Sequence, residues 1–305
     1  MTTYRLGINT CFAVKRWPQP ESWAALVADE LELDLVQHSL DLVDLDAPPA
    51  AVTDQATRLR AVCASTGLAL HSTFTGLAAY SANLLLHPDR SARARARDWY
   101  RRVIGFTADT GAQATGGHVG AFSVGDYRDP AHRAQRWREL TGSLAELAGY
   151  AQDRGLSYLL AENLAAAREP ATMAMIESLL TDGDQAHVPV LLCLDVGHQC
   201  VPGTAGPDRD PYAWLARLGA RAPVVQLQQT DGNSDHHWPF TPRTNAAGII
   251  QAGKVLAALD RSGAADVALI LEIIPPFEQD DDQVLDDLRQ SAAYWRAALR
   301  AHAGG

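Results

Sequence analysis

Short apolar runs alternate with helix-forming stretches eight times along this chain of 305 residues, and that alternation constrains the fold more than any other feature. The strand-like runs are Tyr4–Thr10, Leu33–His38, Ala69–Thr73, Ala114–Gly120, Ser157–Glu162, Val190–Asp195, Val224–Gln228 and Val267–Glu272. Continuous apolar runs of this length, bounded by Gly, Pro or Asp, read as strands buried on both faces of a parallel sheet. Helices are expected near 20–31, 48–65, 90–111, 130–154, 170–182, 211–220, 247–262 and 279–301. The fourth is the plainest, because Trp137, Leu140, Leu144, Leu147 and Ala151 recur at three- and four-residue steps. Gly67, Gly111 and Gly155 each follow a helical stretch where a left-handed cap is wanted. Pro130 and Pro170 sit where a first-turn proline is tolerated. No GxGxxG follows the first strand, so the repeated βα unit predicts a single (β/α)8 TIM barrel of the α/β class rather than a doubly wound sheet. The expectation is one catalytic domain over residues 1–305 with no second domain.

Composition narrows the function. A net charge of −10 argues against a phosphate-backbone footprint and hence against nucleic acid as a partner. No apolar stretch approaches the roughly 18 residues that span a bilayer, and no charged-then-apolar leader precedes Tyr4. Cys11, Cys63, Cys193 and Cys200 are scattered without a CxxC pair, which fits a reducing, cytoplasmic setting. Arg90, Arg93, Arg95, Arg97, Arg101 and Arg102 crowd one helix and read as a solvated face whose long stems cover apolar surface. A small molecule is the expected partner, and a homo-oligomer is compatible with the apolar, helix-rich exterior.

The chemistry concentrates at the strand ends. The last polar groups of the successive strands are Asn9, His38, His71, His118, Glu162, Asp195, Gln228 and Glu272, and in a barrel they are expected to converge on one mouth. A lone strand-end histidine is ordinarily a hydrogen-bonded structural residue, and a buried carboxylate without a partner is costly. Carboxylates on three of four consecutive strands therefore suggest one shared partner, a divalent cation. Glu162, Asp195, Glu272 and the amide oxygen of Gln228 make an all-oxygen set that favours Mg²⁺ or Mn²⁺ over Zn²⁺. His198, three residues after Asp195, would contact substrate or brace the metal. Two long loops, Gly197–Asp210 and Thr230–Ala246, follow strands six and seven; the second carries His236, His237, Trp238 and Phe240. A metal chelating a carbonyl and its neighbouring hydroxyl acidifies the hydrogen between them and stabilises the enediolate. Two glutamates could then remove and return a proton, giving epimerisation or aldose–ketose isomerisation.

The Glu, the Asp-x-x-His, the strand-seven ligand and the final Glu on strands five to eight resemble the sugar isomerase/epimerase superfamily of xylose-isomerase-like TIM barrels, and the resemblance covers essentially the whole chain. Ketose 3-epimerases belong to it, and in them the matching residues bind Mn²⁺ or a similar ion while the two Glu act as acid and base. The resemblance assigns catalysis to Glu162 and Glu272, and metal binding to Glu162, Asp195, Gln228 and Glu272. The metal is taken as Mn²⁺, with Mg²⁺ or Co²⁺ as alternatives, and His198 contacts substrate oxygens. More narrowly, QLQQTDG followed by HHWPF, with GTAGPDRDPYAW and LEIIPPFE, is similar to tetrulose-phosphate epimerases of bacterial erythritol and threitol catabolism. Two departures stand out. The strand-seven ligand is usually His, where this chain has Gln228; and Arg168 stands where free-sugar epimerases often carry a Glu. An Arg in a cleft suits a phosphate, so a sugar phosphate is expected, with Arg168, His71, His118, His237 and Arg243 as further substrate-binding candidates.

Other readings keep the same metal and carboxylates: an aldose–ketose isomerase, or a C-glycoside-cleaving lyase subunit. DNA repair of the endonuclease type would need several metals and a basic groove, which the charge opposes. A non-catalytic sugar-binding barrel would not need both glutamates.

Overall fold

The structure is a computed structural model that describes residues 2–181 and 187–304. Its strands are β1 (Thr3–Asn9), β2 (Leu35–Ser39), β3 (Ala69–Phe74), β4 (Ala114–Gly117), β5 (Tyr158–Glu162), β6 (Val190–Asp195), β7 (Val224–Leu227) and β8 (Asp266–Leu271). Each pairs in parallel with its sequence neighbour, and β8 pairs back onto β1 from Thr3↔Asp266 to Ile8↔Leu271, closing the barrel. The expected (β/α)8 barrel is therefore present. Around it run α1 (Pro20–Ala25), α2 (Pro49–Thr66), α3 (Arg90–Thr110), α4 (Val124–Arg128), α5 (Pro130–Asp153), α6 (Met173–Leu179), α7 (Pro211–Leu218), α8 (Pro242–Ala247), α9 (Ala252–Ser262) and α10 (Asp281–Ala303). No described helix is long and apolar enough to cross a membrane.

Alternation along each strand sorts side chains into two layers. In β8, Val267, Leu269 and Leu271 face the helices and join the main core with Trp23, Trp214 and Trp295. Ala268 and Ile270 point into the lumen, where they meet Leu35, Phe74, Leu160, Cys193 and Val224. Glu272 is the next inward position, so the pleat aims it at the mouth.

The local expectations hold with informative exceptions. Gly67 and Gly111 cap α2 and α3 at φ 72° and 82°, and Gly155, at φ 82°, turns the chain just after the Arg154 cap of α5. Pro130 opens α5 behind the Asp129 cap. Pro170, by contrast, lies outside α6, which starts only at Met173 behind a Thr172 cap; the Pro170 carbonyl instead accepts from Leu164 N–H within the loop. The helix expected over 170–182 ends at Leu179, because Thr181 N–H has already bonded to Val190 O; position 182 lies outside the described residues. The stretch 247–262 breaks at extended Gly248, leaving α8 before it and α9 after it. The arginines of α3 are less solvated than expected. Arg93 is buried against Glu139 at 2.9 Å and caps the carbonyls of His87 and Pro88, while Arg97 and Arg101 bridge to Glu146 on α5. The four cysteines are free and buried.

β4 stops at Gly117 rather than running to Gly120, because His118 N–H turns to Thr75 Oγ1 instead of the ladder. Within β4, Gly116 sits at φ 152°, and a Cβ there would lie 1.9 Å from Leu160 O on the neighbouring strand. Gly116→Ala is accordingly expected to destabilise the fold by about 2 kcal/mol or more through strain and strand separation, read as a lower denaturation midpoint at an unchanged slope.

Candidate metal and acid/base centre

Three carboxylates and one amide close the mouth above β5 to β8. Glu162 and Asp195 are the last residues of β5 and β6, and Gln228 and Glu272 directly follow β7 and β8; all four are buried. Each carboxylate has one oxygen fixed and one free. Glu272 Oε1 accepts from Asn9 Nδ2 at 3.0 Å and Gln226 Nε2 at 2.7 Å. Glu162 Oε2 accepts from the Tyr80 hydroxyl at 2.6 Å. Asp195 Oδ1 accepts from Gly197 N–H at 2.6 Å and Gln228 Nε2 at 3.0 Å. Glu162 Oε1, Asp195 Oδ2 and Glu272 Oε2 are buried and accept no hydrogen bond among the described residues. Unsatisfied buried carboxylate oxygens are costly, and three together in one cavity fit a bound cation.

The supports are chain-specific. Asn163 ties the ends of β5 and β6 together, donating to Asp195 O and accepting from Asp195 N–H, while its own carbonyl accepts from His198 Nδ1 at 2.7 Å. Gly197 belongs between Asp195 and His198 because a Cβ there would lie 2.2 Å from Gln228 Cδ. Beneath the carboxylates, Gln37 Oε1 accepts from both Asn9 and Gln226, and Gln37 Nε2 donates to Ser72, so a layer of neutral amides braces Glu272 from below.

His198, Asp235 and His237 complete the cavity wall. His198 Nε2 lies 3.3 Å from Asp235 Oδ2, and Asp235 Oδ1 lies 3.1 Å from His237 Nε2. Three overlapping sets have ligand atoms within 4.8 Å of one another: Glu162–Asp195–His198, Asp195–His237–Glu272 and His198–Asp235–His237. Carboxylates with an imidazole suit a divalent ion on the hard side of the series. A cavity of about 220 Å³ opens above, lined among others by Phe74, Tyr80, Asp235, His237 and Glu272.

Electrostatics follow from the crowding. Burial, with the charges of Asp195 and Asp235, pushes Glu162 up to about 8 although His198 and Tyr80 pull the other way. Burial and the neighbouring Asp195 and Glu162 drive Glu272 well above the ordinary carboxylate range. Burial would depress His198, but Asp195, Asp235 and Glu162 outweigh it and hold the imidazolium well above its usual value. Asp235 resists burial because His198 and His237 keep it ionised far below the ordinary range. Protons and a divalent cation are thus alternative partners for these oxygens, since either relieves the repulsion among them.

The remaining sequence candidates divide. His118 is buried beside the site, 3.2 Å from Glu169 Oε1, and its ring props Tyr80 edge-on at a centroid distance of 4.8 Å. Arg243 is exposed on a separate cleft of about 940 Å³, shared with His236, His237, Trp238 and Gln283 and bounded by α8 and α10. His71 does not reach the mouth. β3 continues three residues beyond it, and its ring bonds to Tyr158 at the start of β5, near Arg5 and Asp266 at the opposite end of the barrel. His38 turns outward toward Trp23, 5.6 Å between ring centroids, and burial lowers it to about 3. Arg168 is exposed and donates to Phe122 O instead of entering the cavity. Gln228 is in the cavity, but its oxygen accepts His237 N–H at 2.6 Å, so its NH₂ group faces the acids; the expected amide-oxygen ligand is not presented. Tyr80 and Asp235 were missed. Asp235 adjoins the His236–His237 pair and was open to suspicion on that ground, whereas nothing in the sequence marks Tyr80.

The model of the xylose isomerase-like TIM barrel family matches residues 26–298. The chain belongs to that family. A D-erythrulose 1-phosphate 3-epimerase of Brucella abortus (strain 2308) is 28% identical over 296 residues, covering 95% of this chain and 94% of the relative. Among solved structures, a candidate xylose isomerase from Rhodospirillum rubrum superposes with a TM-score of 0.89 at 34% identity, covering 96% of this chain and 99% of that one. The D-psicose 3-epimerase from Clostridium cellulolyticum H10, solved with D-tagatose, has a TM-score of 0.69 at 15% identity and covers 97% and 99%; at that distance it shows the fold alone. The chain is an enzyme of the isomerase class.

The proton balance makes a pH prediction. Glu162 holds its proton to about pH 8 in the folded chain against an ordinary value of 4.5, so folding takes up a proton between those limits. The stability this gives is full below 4.5 and lost as pH rises through 8. The melting temperature of metal-free protein is expected to fall between about pH 4.5 and 8 and to level off above, and Glu162→Gln to flatten that decline, in thermal melts across pH.

Proposed function

We propose that this chain is a divalent-metal-dependent 3-epimerase acting on a short ketose phosphate, of the tetrulose phosphate class. The observation that carries the reading is the pair Glu162 and Glu272, each with one oxygen anchored and the other free in the same buried cavity. The similarity to a D-erythrulose 1-phosphate 3-epimerase supports the substrate class. The catalytic unit is residues 1–305 as one domain, the setting cytoplasmic, and the partner a small sugar phosphate.

Glu162, Asp195 and Glu272 are the strand-borne residues that would hold the cation, taken as Mn²⁺. The chemistry such an ion supplies is Lewis-acid stabilisation of developing oxygen charge. The free oxygen of one glutamate takes the proton from C3, and the C3–H electron pair moves into the C2 carbonyl to give the enediolate. The other glutamate returns a proton to the opposite face of C3 as the carbonyl re-forms, so protons and electrons balance with no external oxidant. Tyr80 fixes Glu162, and Asn9 with Gln226 fixes Glu272, so neither carboxylate must reorganise during transfer. His198, held by Asn163 O, is placed to donate from Nε2 to substrate oxygens. Arg243 and His236, on the cleft that His237 shares with the mouth, are proposed for the phosphate.

Incubating tetrulose phosphate with the Mn²⁺-loaded enzyme in D₂O should place deuterium at C3 with inversion, read by NMR. Label at C1 or C2 with aldose formation would favour an aldose–ketose isomerase, a reading kept by the similarity to a candidate xylose isomerase. Absence of label from all substrates would overturn proton abstraction. Glu272→Gln should lower turnover by about 10²–10⁴, whereas Arg243→Ala should chiefly raise KM for the phosphorylated substrate.

A further inference from the structure

The strand-seven position poses a specific question: what completes the cation site if Gln228 does not? A backbone N–H can only donate, so the 2.6 Å contact from His237 N–H identifies the atom it meets as the Gln228 oxygen. The NH₂ group therefore points at Asp195 Oδ1 (3.0 Å) and Asp235 Oδ1 (2.7 Å). An amide NH₂ donates hydrogen bonds and offers no lone pair to a metal. Gln228 instead holds the loop segment Asp235–His237 over the mouth by two hydrogen bonds, accepting from the His237 backbone N–H and donating to the Asp235 carboxylate.

His237 is held in a conformation it would not choose freely. It has a φ of 49° although it is not glycine, a strained backbone conformation that recurs at ligand clamps. Its Nε2 lies 3.1 Å from Asp235 Oδ1, the arrangement in which a carboxylate takes the N–H of a metal-binding imidazole. With that proton on Nε2, Nδ1 carries the lone pair and faces two acceptors, Glu272 O at 3.2 Å and the unbonded Glu272 Oε2 at 3.7 Å, which a shared cation would reconcile. His237, Asp195 and Glu272 also form one of the sets with ligand atoms within 4.8 Å.

We infer that His237 Nδ1, carried by the loop after β7, replaces the strand-seven side chain as the imidazole ligand of the divalent cation. Asp235 orients its ring, and Gln228 is a positioning residue rather than a ligand. The inference rests on the metal-dependent reading above.

Mn²⁺ titration followed by calorimetry, with pulsed EPR of the bound ion, tests it without reference to turnover. Wild type is expected to bind Mn²⁺ with an imidazole ¹⁴N coupling. His237→Asn and His237→Gln should lose that coupling and bind at least about tenfold more weakly. Gln228→Leu should keep the coupling and weaken binding less, and His198→Asn should keep it too. Wild-type binding with no imidazole coupling, or a coupling that survives in both His237 variants and vanishes in His198→Asn, overturns the inference and leaves the metal-dependent reading standing. Failure of wild type to bind Mn²⁺ at all overturns both.

Discussion

Mutual repulsion among carboxylates that water cannot reach is the constraint that organises this molecule. Glu162, Asp195 and Glu272 are buried together, with Asp235 beside them. Separately each would be a liability, since a desolvated charge without a counter-charge is among the costlier things a fold can contain. Parallel strands that end at a common rim force the three strand-borne acids together, and the fold tolerates this by fixing one oxygen of each. The braces come from different places: a phenol from the loop after β3, a backbone N–H with an amide at β6, and two amides from the lumen for β8. What remains is a set of free oxygens whose repulsion is the driving force for taking up protons or a cation.

The same arrangement makes the two glutamates chemically unequal. Glu272 accepts from two amide donors, which favour its ionised form, against burial that favours the protonated one. Glu162 accepts from Tyr80, whose own hydroxyl is pushed well above its ordinary range by burial and by Glu162 itself. A pair of acids with distinct surroundings is what separate proton-donating and proton-accepting duties require.

Much of this was legible in the residues alone. The eightfold alternation, the apolar runs and the terminal Glu162, Asp195 and Glu272 follow from the two-residue period of a strand and from where barrels place their chemistry. His71 and His38 were misread because a strand's end cannot be located to the residue from composition; a shift of one position turns a side chain from lumen to helix layer, as it does for His38 beside inward Gln37. Arg168 was misread because a loop's path depends on contacts such as the one to Phe122 O, which no local pattern encodes. Gln228 was located correctly but its orientation was not, since which end of an amide faces a cavity depends on a donor nine residues away in a long loop. Tyr80 lay beyond reach for the same reason: its partner is 82 residues distant.

The bond from Asn9 to Glu272 joins residues 263 positions apart, across the seam where the first strand meets the last. Synthesis must run 263 residues past Asn9 before that seam can shut, so Glu272 gains its brace only when the ring is complete. Bracing and closure are therefore one event, and a clipped barrel would carry Glu272 without its alignment.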